Sequence, residues 1–323
     1  MDRRFPVSLF LSAVSLALAA GAHARVHEEA FDLPVQVTHS SGKRFSQPIR
    51  VTVWTDDANP KPSPVLVLNH GRAPDAEGRQ KLGRARYGDA ARFFLRHGFI
   101  VAVPTRIGYG VSGGEDLENS GPCQRKSYAP GFAAAADQVA ATLEAIRQRP
   151  DAAQDRAVIA GQSFGGATTL AAAGRNLPGV VAAIDFAGGA GGNPKLQPGR
   201  PCSPHLLEST LGSYGKTARV PVLWLYAQND QYFGPTHPRE WFDAFRAAGG
   251  TGEFIEFPPQ GEDGHQTFAR FPQTWHPPVA AFLERQGFPA LRPDPVAPET
   301  VPAAGAPPLP AHVPTTRDEA SHD

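Results

Sequence analysis

An excess of charge of either sign is absent. The 323 residues hold 31 Lys and Arg against 31 Asp and Glu, a formal net charge of zero. That excludes electrostatic capture of nucleic acid or an anionic lipid surface as the main theme. Cysteine is scarce, at two residues, Cys123 and Cys202. Neither has a Cys or His cluster beside it, which argues against a zinc site. Past residue 24 no apolar run approaches the ~20 residues that span a bilayer. No internal repeat is found, which argues against a repeat array. What is plentiful is Gly and Pro, 33 of each, and that excess speaks against a coiled coil or helical bundle. Apolar residues at 41% and aromatics at 9% suffice for a sizeable core. The length allows one large domain or two small ones.

The chain opens with Arg3 and Arg4, then an uncharged apolar run over 7–20, then Ala22-His23-Ala24. This is the layout of an export signal, so residues 1–24 are expected to be removed and the mature chain to be periplasmic or secreted, with no membrane insertion. A buried core helix is the competing reading. In an oxidising compartment Cys123 and Cys202 are expected to form a disulfide. Two free thiols or a metal site are the alternatives. The bridge closes a loop of about 80 residues, worth up to about 4.5 kcal/mol in the chain-entropy picture. Residues 290–323 are rich in Pro and Ala with a charged end. Too little apolar surface is available there for folding, so a disordered tail is expected beyond a catalytic domain at 25–289.

Between these ends the pattern alternates. Residues 31–37 and 49–54 are β-prone and flank a turn-rich stretch, which predicts an antiparallel hairpin. Short apolar runs at 65–68, 99–103, 157–160, 180–186, 220–226 and 253–257 predict buried strands. Helical spacing appears at 87–97, 131–149, 163–174, 238–248 and 273–286. The sum is an α/β fold, a mostly parallel doubly wound sheet of about eight strands with an N-terminal antiparallel hairpin. Residues 187–215, rich in Gly, Pro and Ser, read as an excursion above the sheet rather than a second core, and no helix is placed there.

The strongest motif is Gly161-Gln162-Ser163-Phe164-Gly165-Gly166. It is a G-x-S-x-G string directly after a strand and directly before a helix. Such a turn forces Ser163 into strained backbone geometry and lifts its hydroxyl above the sheet edge. A Gly-rich strand-to-helix turn with a capping serine is the plain alternative. A serine hydroxyl needs a base. His265, in the polar loop between the last strand and the last helix, is the best placed. His276 falls inside that helix, and His237 lies too near the preceding strand. The base needs an acid. Asp230, just past the strand at 220–226, is favoured over Asp185, which ends the strand before it. Donors for an oxyanion are assigned to the backbone N–H groups of Phe164 and Arg72, with Gly71 as fallback for Arg72.

With Asn69-His70-Gly71, Arg106 to Gly110, Ser112-Gly113-Gly114, the Ser163 elbow, Asp230 and His265 in view, the sequence resembles an α/β-hydrolase over roughly residues 65–288. It is most similar to the serine hydrolases near the dienelactone hydrolase and prolyl-oligopeptidase groups. The dienelactone hydrolases proper use cysteine at the elbow; here the residue is serine. The resemblance implies an acyl-enzyme reaction with the order Ser163, Asp230, His265, no cofactor and no metal, on a small-molecule ester. A peptidase or amidase with the same triad and a non-catalytic binding protein on the same fold are the other readings. The glycines after Arg106 fail as a dinucleotide fingerprint, since no helix follows at once. Arg72, Arg84, Arg86 and Arg106 are read as solvated surface arginines rather than as a carboxylate-binding group.

Overall fold

The computed structural model describes residues 26–38 and 42–293. The expected signal at 1–24 lies outside them, as does the expected tail from residue 294 onward. Strands β1 (Val26–Thr38) and β2 (Arg44–Asp56) form the antiparallel hairpin, in register from Val26 opposite Asp56 to Thr38 opposite Arg44. Then follow β3 (Ser63–Asn69), α1 (Ala76–Lys81), α2 (Gly88–Arg96), β4 (Ile100–Thr105) and α3 (Ala129–Arg147). Next come β5 (Ala152–Gln162), α4 (Phe164–Ala173), β6 (Val180–Phe186) and α5 (Pro204–Gly215). The last elements are β7 (Val222–Ala227), α6 (His237–Ala247), β8 (Gly252–Phe257), α7 (Thr267–Arg270) and α8 (Pro272–Arg285). The eight strands form one sheet in the order β1-β2-β4-β3-β5-β6-β7-β8. β2 joins β4 antiparallel, and from β4 to β8 every pairing is parallel.

Successive side chains of a strand point to opposite faces, so a strand covered on both sides must be apolar throughout. In β3, Val65 and Val67 join one core with Phe132, Leu170, Leu211 and Trp241. Leu66 and Leu68 join the other with Phe93, Phe94, Trp275 and Phe282. The sheet is thus sandwiched by α3 to α6 on one face and by α2 and α8 on the other.

Two expectations are corrected. The stretch 187–215, where no helix was expected, carries α5 in its last twelve residues, and that helix packs on α6. Pro204 sits in the first turn, where a missing N–H costs nothing. Gly212 and Gly215 face α6 so closely that a Cβ would lie 3.1 Å from Ala244 and 2.2 Å from the Phe245 carbonyl. Glycines that look like helix breakers in sequence are here the price of close helix approach. The body also reaches three residues into the expected tail. Arg292 donates to Asp56 (2.7 Å), Asn59 (2.5 Å) and the Leu95 carbonyl (3.0 Å). No helix among the described residues is long and apolar enough to cross a membrane.

Candidate active site

The turn from β5 into α4 carries Ser163 at φ 57°, ψ −122°, a region that side chains avoid. Glycines make the turn feasible. A Cβ on Gly161 would meet the Gly165 carbonyl oxygen at 2.2 Å, and one on Gly165 would meet the Asn69 carbonyl oxygen at 2.4 Å. The strain is held by backbone bonds: the Ser163 N–H donates to Phe186, and its carbonyl accepts from Gly166 and Ala167.

Ser163, Asp230 and His265, far apart in sequence, form one hydrogen-bonded chain. His265 Nε2 lies 2.9 Å from Ser163 Oγ, and His265 Nδ1 lies 2.9 Å from Asp230 Oδ2. Asp230 is 2% exposed. Its second oxygen, Oδ1, accepts from the N–H groups of Tyr232 (2.7 Å) and Phe233 (3.0 Å), in the turn just after β7. Burial by itself would lower the His265 pKa; the Asp230 carboxylate, aided by Asp263 and Asp185, outweighs it and raises the value above 6.5. The ring is fixed on both sides, stacked on Tyr232 at 4.1 Å and edge-on to Phe233 at 5.1 Å.

Asp185, the rival acid, is fully buried but bonds elsewhere, to the Tyr226 hydroxyl at 2.8 Å. That hydroxyl also lies 2.8 Å from the Gly188 carbonyl. A hydroxyl has one proton, and the carbonyl can only accept. Tyr226 therefore shares its one proton between the Asp185 carboxyl and the Gly188 carbonyl. Burial pushes Asp185 up to about 7, against the pull of the Tyr226 and Gly188 hydrogen bonds. His276, in α8, stacks on Phe93 at 4.2 Å within the face covered by α2 and α8. His237 pairs with Glu240 at 3.0 Å on α6.

Arg72 and Phe164 both line a cavity of about 550 Å³ that opens over Ser163. Residues 119–126 wall one side and residues 189–202 the other. The expected disulfide is present between Cys123 and Cys202 and joins the two walls. Of the four arginines expected to be solvated, Arg86 is exposed, whereas Arg72, Arg84 and Arg106 are not, and all four are paired with acids of this chain. Arg106 is fully buried on Glu118. Arg72 grips Asp116 with both Nη atoms, at 2.6 and 2.7 Å. Arg84 and Arg86 share Glu28. Glu28 and Asp116 are distant from their arginines in sequence, and Glu118 lies in the same irregular loop as Asp116, so no spacing pattern revealed the pairs.

Sequence reasoning also missed Asp263. Its Oδ1 accepts from the N–H groups of His265 and Gln231, both at 3.0 Å, and so ties the histidine loop to the loop after β7. The signal was present: an Asp two residues before a loop histidine has the spacing of a local side-chain cap. Gly264 allows the approach, since a Cβ there would lie 2.6 Å from the Ala227 Cβ.

Residues 58–266 match the dienelactone hydrolase family, well over half of the chain. The chain belongs to the dienelactone hydrolase family. No curated protein matches it. Among solved structures, this family member is similar to a Klebsiella pneumoniae protein assigned to the dienelactone hydrolases, at 16% identity and TM-score 0.51. That likeness covers 80% of this chain and 99% of the other. It is similar to a Pyrococcus furiosus esterase at 13% identity and TM-score 0.51, over 79% of this chain and 90% of the other. It is also similar to a Pyrococcus horikoshii acylaminoacyl peptidase at 13% identity and TM-score 0.56, over 84% of this chain and 43% of the other. At such identities the likeness establishes the shared α/β-hydrolase fold.

Proposed function

We propose that this family member is an exported serine hydrolase that cleaves small carboxylic esters through an acyl-enzyme. The observation that carries the reading is the unbroken chain Ser163 Oγ, His265 Nε2, His265 Nδ1, Asp230 Oδ2, each link 2.9 Å. Ser163 Oγ attacks the ester carbonyl carbon while His265 takes its proton. Asp230 holds the imidazole in the tautomer that leaves Nε2 free to accept, and it stabilises the imidazolium that results. The carbonyl electron pair moves to oxygen, where the N–H groups of Phe164 and Arg72 receive it. Collapse expels the alcohol, protonated by His265. A water then repeats the sequence on the acyl-serine and releases the acid.

Phe164 is the first residue of α4, so its N–H has no partner within the helix and points out of the N-terminus. Gly71 is a poorer donor than Arg72, because its N–H is directed at the Tyr87 hydroxyl, 3.4 Å away. Membership of a family named for opening a lactone, a cyclic ester, supports ester over amide cleavage. The disulfide and the leader-like start support export; N-terminal sequencing of protein from an osmotic-shock fraction is expected to begin at Arg25.

Hydrolysis of 4-nitrophenyl esters tests the reading. Ser163→Ala is expected to lower kcat by on the order of 10⁶ while keeping the fold. Turnover near the wild-type rate in that variant would remove serine from the mechanism. Comparing the ester and the anilide of one acyl group separates esterase from amidase.

A further inference from the structure

The loop after β3, which abuts Ser163 at Gly71, is held by a buried apparatus that the reaction scheme does not use. Arg106 is fully buried. Its guanidinium donates to the His70 carbonyl (2.8 Å) and the Gly71 carbonyl (3.5 Å), with Glu118 taking its charge. Its backbone N–H donates to His70 Nε2 at 3.1 Å. A backbone N–H can only donate, so Nε2 is the accepting nitrogen and the His70 proton is on Nδ1. That Nδ1–H donates to the Gly71 carbonyl at 2.7 Å. Burial, with Arg106 beside it, keeps His70 well below the usual histidine value, so the ring stays neutral and this pattern persists. Both carbonyls of the loop between β3 and α1 are thereby pulled to one side.

The consequence is geometric. The one cis bond among the described residues is Lys61–Pro62, so the Gly71–Arg72 peptide is trans. In a trans peptide the N–H points opposite to the C=O. With the Gly71 carbonyl drawn onto His70 and Arg106, the Arg72 N–H is turned the other way. The loop also abuts the reacting serine, since a Cβ on Gly71 would lie 3.3 Å from the Ser163 Cβ. We propose that Arg106 and His70 are positioning residues that hold the Gly71–Arg72 peptide with its N–H aimed at the oxyanion. The same guanidinium lies 5.7 Å from the Phe164 ring, so it underlies both proposed donors. Arg72 thus has two separate functions: its side chain is consumed by Asp116, and its backbone serves the reaction.

The inference rests on the serine-hydrolase reading, and its test reports on the two separately. A trifluoromethyl ketone serves as probe. Ser163 Oγ bonds to its carbonyl carbon, the serine proton passes to His265, and the carbonyl pair becomes an oxyanion that needs the same donors. Arg106→Lys keeps a charge for Glu118 but cannot reach two carbonyls. His70→Leu removes the Nδ1–H donor, and His70→Asn restores an N–H in its place. Arg106→Lys and His70→Leu are expected to lower kcat by on the order of 10²-fold with little change in KM. The ketone's inhibition constant should rise by a similar factor, and His70→Asn should recover most of the loss. If Arg106→Lys does not fold, the two His70 variants carry the test. Folded variants that hydrolyse esters and bind the ketone within a few-fold of wild type would overturn the inference alone. A wild-type protein that neither hydrolyses esters nor binds the ketone would overturn the hydrolase reading and this inference with it.

Discussion

At the scale of the residue, two buried aspartates stand close to one histidine and are held by different partners. Asp230 offers Oδ2 to His265 and has its other oxygen capped by two backbone N–H groups, an environment suited to a carboxylate. Asp185 meets a hydroxyl whose one proton it shares with the Gly188 carbonyl. Replacing Asp230 by Asn is expected to cost about 10⁴ in kcat, since the wrong imidazole tautomer becomes available. A pH profile adds a second readout. His265 must be neutral to act as base, so activity falls on the acid side through its pKa, which Asp230 raises. In Asp230→Asn that limb should move to lower pH; an unmoved limb would assign the raised value to another group. Asp185→Asn should stay active. Its native pKa of about 7 against 3.8 unfolded means that the folded state keeps a proton the unfolded state has lost. Stability is therefore lost as pH rises from about 4 to 7, by up to about 4 kcal/mol. Asparagine imitates the neutral acid without that loss. The variant should melt at or above the wild-type temperature at pH 8, with the difference shrinking toward pH 4. A variant markedly less stable than wild type at pH 8 would show that the pKa of the Asp185 carboxyl is not raised in the native state.

At the scale of the element, the site is assembled where strands end. Ser163 follows β5, Asp230 follows β7 and His265 follows β8, while Arg72 follows β3, so their backbones emerge from one edge of a single sheet. These positions were legible in the sequence because each rests on local signals: a buried apolar run, then a turn, then a polar residue of the right type. The elbow was clearest, since two flanking glycines have a steric reason to be there. What was not legible depended on partners distant in the chain. Helix α5 was hidden within a stretch rich in Gly, Pro and Ser, since the closeness of Gly212 and Gly215 to α6 is a tertiary contact. The pairs Arg106–Glu118 and Arg72–Asp116 were hidden because their acids lie in an irregular loop with no periodicity. That loop is fastened to the opposite wall of the cavity by Cys123–Cys202. Replacing both cysteines by serine is expected to lower stability by up to about 4.5 kcal/mol. It should also raise KM for longer acyl esters more than it lowers kcat for the acetate. Thermal melts with steady-state kinetics on a series of chain lengths check both effects. An unchanged KM across the series would mean that the walls hold their shape without the bridge.

At the scale of the whole molecule, the sheet is a frame with two apolar cores, and the proposed chemistry occupies one rim of it. The frame accounts for why a strained serine persists: β5 is locked between β3 and β6, and α4 is buried against the sheet along its entire length. The hairpin of β1 and β2 covers the β4 edge of the parallel strands, far from the rim where Asp230 and His265 meet Ser163. Family membership supplies the hydrolase; the central claim is that Ser163 carries the acyl group. The most direct measurement is rapid quenching of the full chain during turnover of an activated ester, followed by mass spectrometry of its peptides. The account predicts a mass increase equal to the acyl group on the peptide containing Ser163, absent in Ser163→Ala. Continued turnover with no acylated peptide, or acylation at another side chain, would contradict it.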